Sequence, residues 1–157
     1  MSIPTNFVIS VNLCKSKFMI SKKAKYALKA LTKLALNFNT RKPLLISEIS
    51  ATENIPKKFL EAILLELRNN GILQSQKGKG GGYLLKLPPH EVKISRIIRV
   101  IDGPIAPLLC VSLNFYDKCE DCISEEVCKI RPLMQQIRDA NLKVYDNTTL
   151  EDLTRNV

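Results

Sequence analysis

A mainly α-helical fold with one small β-hairpin, a winged helix-turn-helix followed by a long C-terminal dimerisation helix, is predicted by three features of this 157-residue chain. Apolar residues recur at helical spacing over 21–38 and again over 56–70. A glycine-rich basic segment, 77–82, separates two short strand-like runs. A last stretch, 125–146, carries a further helical stripe.

Taken in order, Ser21 is placed to cap a helix reaching about Asn37. Ala24, Ala27, Leu28, Leu31, Leu34, Ala35 and Phe38 recur on one face, and Lys22, Lys25, Lys29 and Lys33 occupy another. After a loop, Ser47 is the expected N-cap of a short helix over 48–52, and Glu53-Asn54 makes a turn. Pro56 sits where proline is welcome, in the first turn of a helix, because its missing N–H had no partner there. That helix runs to about Asn70 with Phe59, Leu60, Ile63, Leu64 and Leu67 inward, and Gly71 stops it. Short helix, tight turn and longer helix in succession form a helix-turn-helix.

Residues 72–76 and 83–87 then read as the strands of a hairpin. Four of the six glycines fall in its tip, where glycine permits positive φ and close backbone approach. Pro88-Pro89 closes the unit. A helix over 96–102 is expected to start from Ser95 and end at Gly103-Pro104. A loop over 104–124 follows, of a length uncommon in a compact domain unless it is functional or disordered. The long helix over 125–146 carries Val127, Ile130, Met134 and Ile137 on one stripe, with Leu133, Ala140 and Val144 beside it. A final short helix begins near Thr149. A terminal helix with more than one apolar stripe packs on its own domain and on a partner, which predicts a symmetric homodimer.

The domain reading is 1–18 as an extension or tail, disordered and outside the fold; 19–90 as the winged helix-turn-helix; and 91–157 as a cysteine-containing sensor loop with dimerisation helices. Charge follows the same division. Residues 1–90 hold 15 Lys and Arg against 4 Asp and Glu, a balance of +11, whereas 91–157 hold 9 against 11, a balance of −2. A phosphate-binding module joined to a non-binding one has this asymmetry. No run approaches the length of a membrane span, and the first residues lack the basic start and cleavage site of a signal peptide. The five cysteines, an odd number without a secretory signal, indicate a reducing compartment, the cytoplasm.

Double-stranded DNA is the expected partner. Lys57 and Lys58 lie in the first turn of the second helix of the motif, beside Pro56, with Ser47 and Ser50 at and near the start of the helix before it. Helix-start N–H groups and lysines favour phosphate and guanine acceptors. At the wing, Lys77, Lys79 and Gly80 would follow the backbone or reach the minor groove. A winged shape also serves protein–protein adaptors, and that alternative stays open.

The run IPKKFLEAILLELRNNGILQSQKGKGGGYLLKLPPHEVKISRIIRVIDGPIAP resembles the core of the Rrf-two family of bacterial regulators, to which the iron–sulfur regulator IscR and the nitric-oxide sensor NsrR belong. The helix after Ile55-Pro56, the wing with Gly78, Gly80, Gly81, Gly82 and Tyr83, the Ile101-Asp102-Gly103 stop and the cysteine cluster fall in the family's order. The resemblance covers Met19 to the C-terminus. It implies a homodimer with crossing C-terminal helices on a palindromic operator, and an effector at the cysteines that alters DNA affinity.

Four of the five cysteines, Cys110, Cys119, Cys122 and Cys128, lie within nineteen residues. Thiolates bind soft metals and iron–sulfur clusters. The resemblance implies an iron–sulfur cluster, 2Fe–2S or 4Fe–4S, on Cys119, Cys122 and Cys128, with Cys128 near the head of the long helix. Cys110 is the candidate fourth ligand. Two departures stand out: a shorter spacing between the first two cysteines than in the iron–sulfur regulator, and Arg131 where that regulator has a ligand histidine. The lone histidine, His90, reads as a surface residue, and Cys14 has no assigned role. Four thiolates also suit tetrahedral zinc, and metal-free redox-active cysteines are the remaining reading. Asp117, Glu120, Asp121, Glu125 and Glu126 around the loop are expected to raise thiol pKa values. The chain is expected to be a regulator and not an enzyme. The alternatives are a thiol redox protein built on Cys119 and Cys122, which lacks the βαβ context such a motif requires, and a zinc-stabilised interaction adaptor.

Overall fold

The computed structural model describes residues 20–78 and 80–155. The tail expected over 1–18, Cys14 and the wing residue Lys79 lie outside the described residues. Six helices and one hairpin follow in the order α1 (Lys22–Leu36), α2 (Ile46–Glu53), α3 (Lys57–Asn69), β1 (Leu73–Gln76), β2 (Gly82–Leu85), α4 (Ile94–Asp102), α5 (Arg131–Asn147) and α6 (Leu150–Thr154), with three short 3-10 turns between them.

Ser21 caps α1 as expected, its hydroxyl accepting from the Ala24 N–H at 3.0 Å. Its own backbone N–H donates to Asp102 at the end of α4 at 2.9 Å, and its hydroxyl bonds the same carboxylate, so the start of α1 is tied to α4. Ala24, Ala27 and Ala30 are wholly buried, and such small side chains let α3, α4 and α6 approach α1 closely. Leu60, Ile63, Leu64 and Leu67 of α3, Ile97 of α4 and Leu150 of α6 complete one continuous core. The chain returns to this core after α5: the Leu150 N–H donates to the Val92 carbonyl at 2.8 Å and the Ile94 N–H to that of Thr148 at 3.0 Å. Thr149 and Asp152 form a reciprocal capping box on α6.

Strands β1 and β2 pair antiparallel from Leu73 with Leu85 to Gln76 with Gly82. Leu44 adds a third-strand bridge, exchanging backbone hydrogen bonds with Tyr83 at 3.0 and 2.9 Å. Gly82 is required there, because a Cβ at that position would lie 2.3 Å from the Leu44 carbonyl oxygen.

Four local expectations are corrected. Helix α2 begins at Ile46 with Leu45 as its cap residue and no side-chain cap, so Ser47 lies in the first turn and not at the cap. The bridge to Tyr83 holds Leu44 extended, and the chain turns helical as soon as that pairing ends. Phe59 is 41% exposed, resting edge-on against the Tyr26 ring at 5.8 Å on the surface. Helix α4 starts at Ile94 with Lys93 at the cap, which places Ser95 inside the helix and buried. Helix α5 starts at Arg131, six residues later than expected. Pro132 explains this, since within a longer helix it would remove a hydrogen bond and clash with the preceding turn, whereas it fits the first turn. Residues 125–130 instead form turns, so Cys128 precedes the helix.

Candidate DNA interface and cysteine loop

The turn between α2 and α3 is fixed from inside. Asn54 adopts the left-handed conformation at φ 52°, the Ile55 N–H donates to the Ser50 carbonyl at 3.1 Å, and the Ser50 hydroxyl donates to the Ile55 carbonyl at 2.7 Å. Ser50 thus positions α3 against α2. Lys29 of α1 bonds the Glu53 carbonyl and pairs with the Glu53 carboxylate at 3.6 Å, so this lysine is engaged in the scaffold. Lys23 likewise pairs with Glu66.

The start of α3 presents the opposite situation. Pro56 occupies its cap without a side-chain hydrogen bond, no acidic residue stands in its first turn, and Pro56, Lys57 and Lys58 are exposed. Neither lysine forms an ion pair with any described residue. Exposed N–H groups with unpaired cations at a helix start make a ready anion-binding end. Ser47 is exposed in the first turn of α2. At the wing, Lys77 and Gly80 are exposed, Gly80 has φ 83°, and the Gly81 N–H donates to the Gly78 carbonyl at 2.9 Å across the tip.

The second cluster is the cysteine loop after α4. Cys110 is buried in a 3-10 turn spanning Leu109–Val111, and its carbonyl accepts from Arg131 at 3.5 Å. The other three thiols meet one another. Cys122 bonds both Cys119 and Cys128, with the Cys122 and Cys128 sulfurs 3.9 Å apart. Those two hydrogen bonds, Cys119's first, push the Cys122 thiol up to about 12. Cys128 is shifted the other way: the backbone N–H of Arg131, then that of Ile130, the Cys122 thiol and the Arg131 charge all favour its thiolate. The carboxylates expected to raise these thiols are therefore not the cause. Glu125 pairs with Arg131 at 2.8 Å and accepts a hydrogen bond from the Tyr116 hydroxyl.

All four cysteines here are free thiols. The donor set suits a soft metal or an iron–sulfur centre in type, and the Cys122–Cys128 separation is close to the roughly 3.8 Å that two thiolates about 2.3 Å from one tetrahedral ion would show. Among the described residues, no three Cys, His, Asp or Glu groups converge at metal-binding spacing. Cys110, buried in its 3-10 turn, takes no part in these thiol hydrogen bonds. Arg131 itself entered the sequence reading only as a missing histidine. Its guanidinium links Glu125 to the Cys110 carbonyl, and its Nε is buried without a hydrogen-bond partner. An arginine immediately before a proline at a helix start was the available signal.

Among the described residues, no helix is long and apolar enough to cross a membrane. The Rrf2 family model, described as an iron-dependent transcriptional regulator, matches residues 20–156. A relative from Rhodobacter capsulatus, named as an HTH-type, rrf2-like transcriptional regulator, is 46% identical over 137 residues, 86% of this chain and 91% of its own length. The HTH-type transcriptional regulator CymR of Bacillus subtilis is 38% identical over 134 residues, 85% of this chain and 88% of the relative. Its solved structure, that of the "global cysteine regulator", superposes with a TM-score of 0.72 over 88% of this chain and 97% of that one. The oxidised form of Staphylococcus aureus CymR superposes with a TM-score of 0.68 at 29% identity, covering 88% and 97%. Similarity of this extent with a mainly helical, winged fold leaves one assignment: the chain belongs to the Rrf2 family, DNA-binding regulators of transcription.

Proposed function

We propose that this regulator binds a palindromic operator as a homodimer in the cytoplasm and reads cellular iron–sulfur, redox or nitric-oxide status through its cysteine loop. The observation that carries the DNA contact is the open, cationic start of α3, where Lys57 and Lys58 are exposed and unpaired. Lys77, Lys79 and Gly80 of the wing would extend the contact along the backbone, and Ser47, exposed in the first turn of α2, would add a phosphate contact. The dimer reading rests on α5, a 17-residue helix with no buried residue, whose Leu133 and Val144, with Ile130 at its cap, are all more than half exposed. So much apolar surface along one helix calls for a partner.

Cys119, Cys122 and Cys128 are the residues that would hold an iron–sulfur cluster, with Cys110 as a fourth ligand only if the Arg131 bridge moves. The cluster, when bound, would supply redox sensitivity and reactivity toward nitric oxide. The chain's own residues order the loop: Arg131 ties Glu125 to the Cys110 carbonyl, and the start of α5 directs N–H groups at Cys128. The family's description as iron-dependent supports this reading. A metal-free thiol switch is the second reading. The Cys122–Cys128 contact and the favoured Cys128 thiolate support it, as does similarity to the global cysteine regulator of B. subtilis and to S. aureus CymR, which has been solved in an oxidised form. Anaerobic purification with iron, sulfide and zinc analysis separates them. Stoichiometric iron and sulfide, lost in Cys122→Ala, is the expected result. A colourless metal-free protein favours the thiol switch, and stoichiometric zinc overturns both.

A further inference from the structure

We propose that the groove between the start of α4 and the end of α5 is a binding site for a small anion, a phosphate- or carboxylate-bearing molecule, distinct from both the DNA-binding end and the thiols. The groove measures about 650 Å³, within the range of small-molecule sites. Its floor is Ser95, a polar side chain only 2% exposed that lines the groove and has no hydrogen-bond partner among the described residues. As the second residue of α4 it has no preceding helical turn to bond, and its hydroxyl is left to the contents of the groove. This hydroxyl is free to meet a ligand.

Three cations surround it. Lys93 stands at the α4 cap, exposed and in no ion pair. Arg96 uses one guanidinium nitrogen on the Asn70 carbonyl at 3.2 Å, leaving its other donors open. Arg99, one turn on, meets Asp146 of α5 at 3.8 Å, longer than a hydrogen bond. The cap of α4 provides no side-chain acceptor, so its first-turn N–H groups add positive field at the same point. Glu91 and Asp146 also line the groove, where the three cations outnumber the two carboxylates.

The location gives the site a consequence. Helix α4 belongs to the core of the winged unit, whereas Asp146 lies near the end of the uncovered helix α5. An anion on Arg99 competes with Asp146 and loosens the tie between those two parts. The inference stands on the groove alone and is independent of what the cysteines bind.

The test is amide NMR of the isotope-labelled full-length protein, titrated with inorganic phosphate and, separately, succinate at fixed ionic strength. Saturable shifts at Ser95, Arg96 and Arg99 are expected with at least one probe. Affinity should fall about tenfold in Arg96→Gln, the loss of one charged hydrogen bond, and fall also in Lys93→Gln, an exposed site where folding is not at issue. Phosphate alone saturating assigns a phosphoryl ligand, and succinate alone a carboxylate. Absence of saturation by both, affinity unchanged in both variants, or shifts confined to 56–58 and abolished by Lys57→Ala would overturn the proposal.

Discussion

The winged unit and the cysteine loop with α5 are built to opposite standards of closure. In the first, Leu60, Ile63, Leu64 and Leu67 of α3 are wholly buried, and surface lysines such as Lys23 and Lys29 are used up on Glu66 and Glu53. In the second, Ile123 is 97% exposed, α5 buries none of its residues, and only Cys110, Val111 and Ser112 of the loop reach an interior. At the start of α3 the winged unit leaves charge unspent: Lys57 and Lys58 are exposed and form no ion pair among the described residues. Unpaired lysines thus mark the front, whereas the most exposed apolar side chains, Ile123 and Val127, lie with the thiols at the rear, and each type indicates what completes it.

The sharpest way to break this comparison is to truncate one side chain in each region. Leu60→Ala should lower unfolding free energy by about 2–5 kcal/mol, whereas Leu133→Ala in α5 should leave monomer stability nearly unchanged and weaken self-association. Denaturant unfolding beside sedimentation measures both, and equal stability losses would contradict the separation.

Thiol chemistry sharpens the rear half. Cys128 lies below the ordinary thiol range and Cys122 near 12, so alkylation of the metal-free protein should modify Cys128 well ahead of Cys122. As pH rises toward 12 the difference should close. Peptide mapping reads the order, and prior modification of Cys122 would contradict the assigned hydrogen bonds.

At the front, Lys57→Ala should reduce DNA affinity about tenfold and make the salt slope shallower by about 1, without a change in the unfolding midpoint. Smaller still is the capping box of α6. Thr149→Ala should cost about 1 kcal/mol of stability. Asp152 is held below the usual carboxylate range by the Thr149 N–H and then its hydroxyl. That contribution is present above the unfolded pKa of about 3.9 and disappears as pH falls through the lower folded value. The loss in Thr149→Ala should thus shrink in acid, and a pH-independent loss would remove the carboxylate from the explanation.

What was legible in the sequence follows the range of the forces involved. Helix α1 announced itself through Ser21 and its alanine and leucine spacing, α3 through Pro56 and Gly71, and α6 through Thr149, because caps, breakers and periodicity act within a few residues. The start of α2 was misplaced because Leu44 is held by Tyr83, some forty positions away, which no local pattern reports. The start of α5 was locally legible, since Pro132 marks a first turn, but the apolar spacing of Val127 and Ile130 outweighed it. The thiol pKa values were misattributed because sequence places the carboxylates near the cysteines without showing that Arg131 engages Glu125 and that the thiols bond one another.

The most direct test of the central claim is a titration of duplex DNA with the folded, full-length protein at several salt concentrations, read by fluorescence anisotropy, beside Lys57→Ala and Lys77→Ala. The account predicts log affinity falling linearly with log salt, with a shallower slope in each variant. Folded protein that fails to bind duplex at low salt, or variants that retain the full slope, would contradict it.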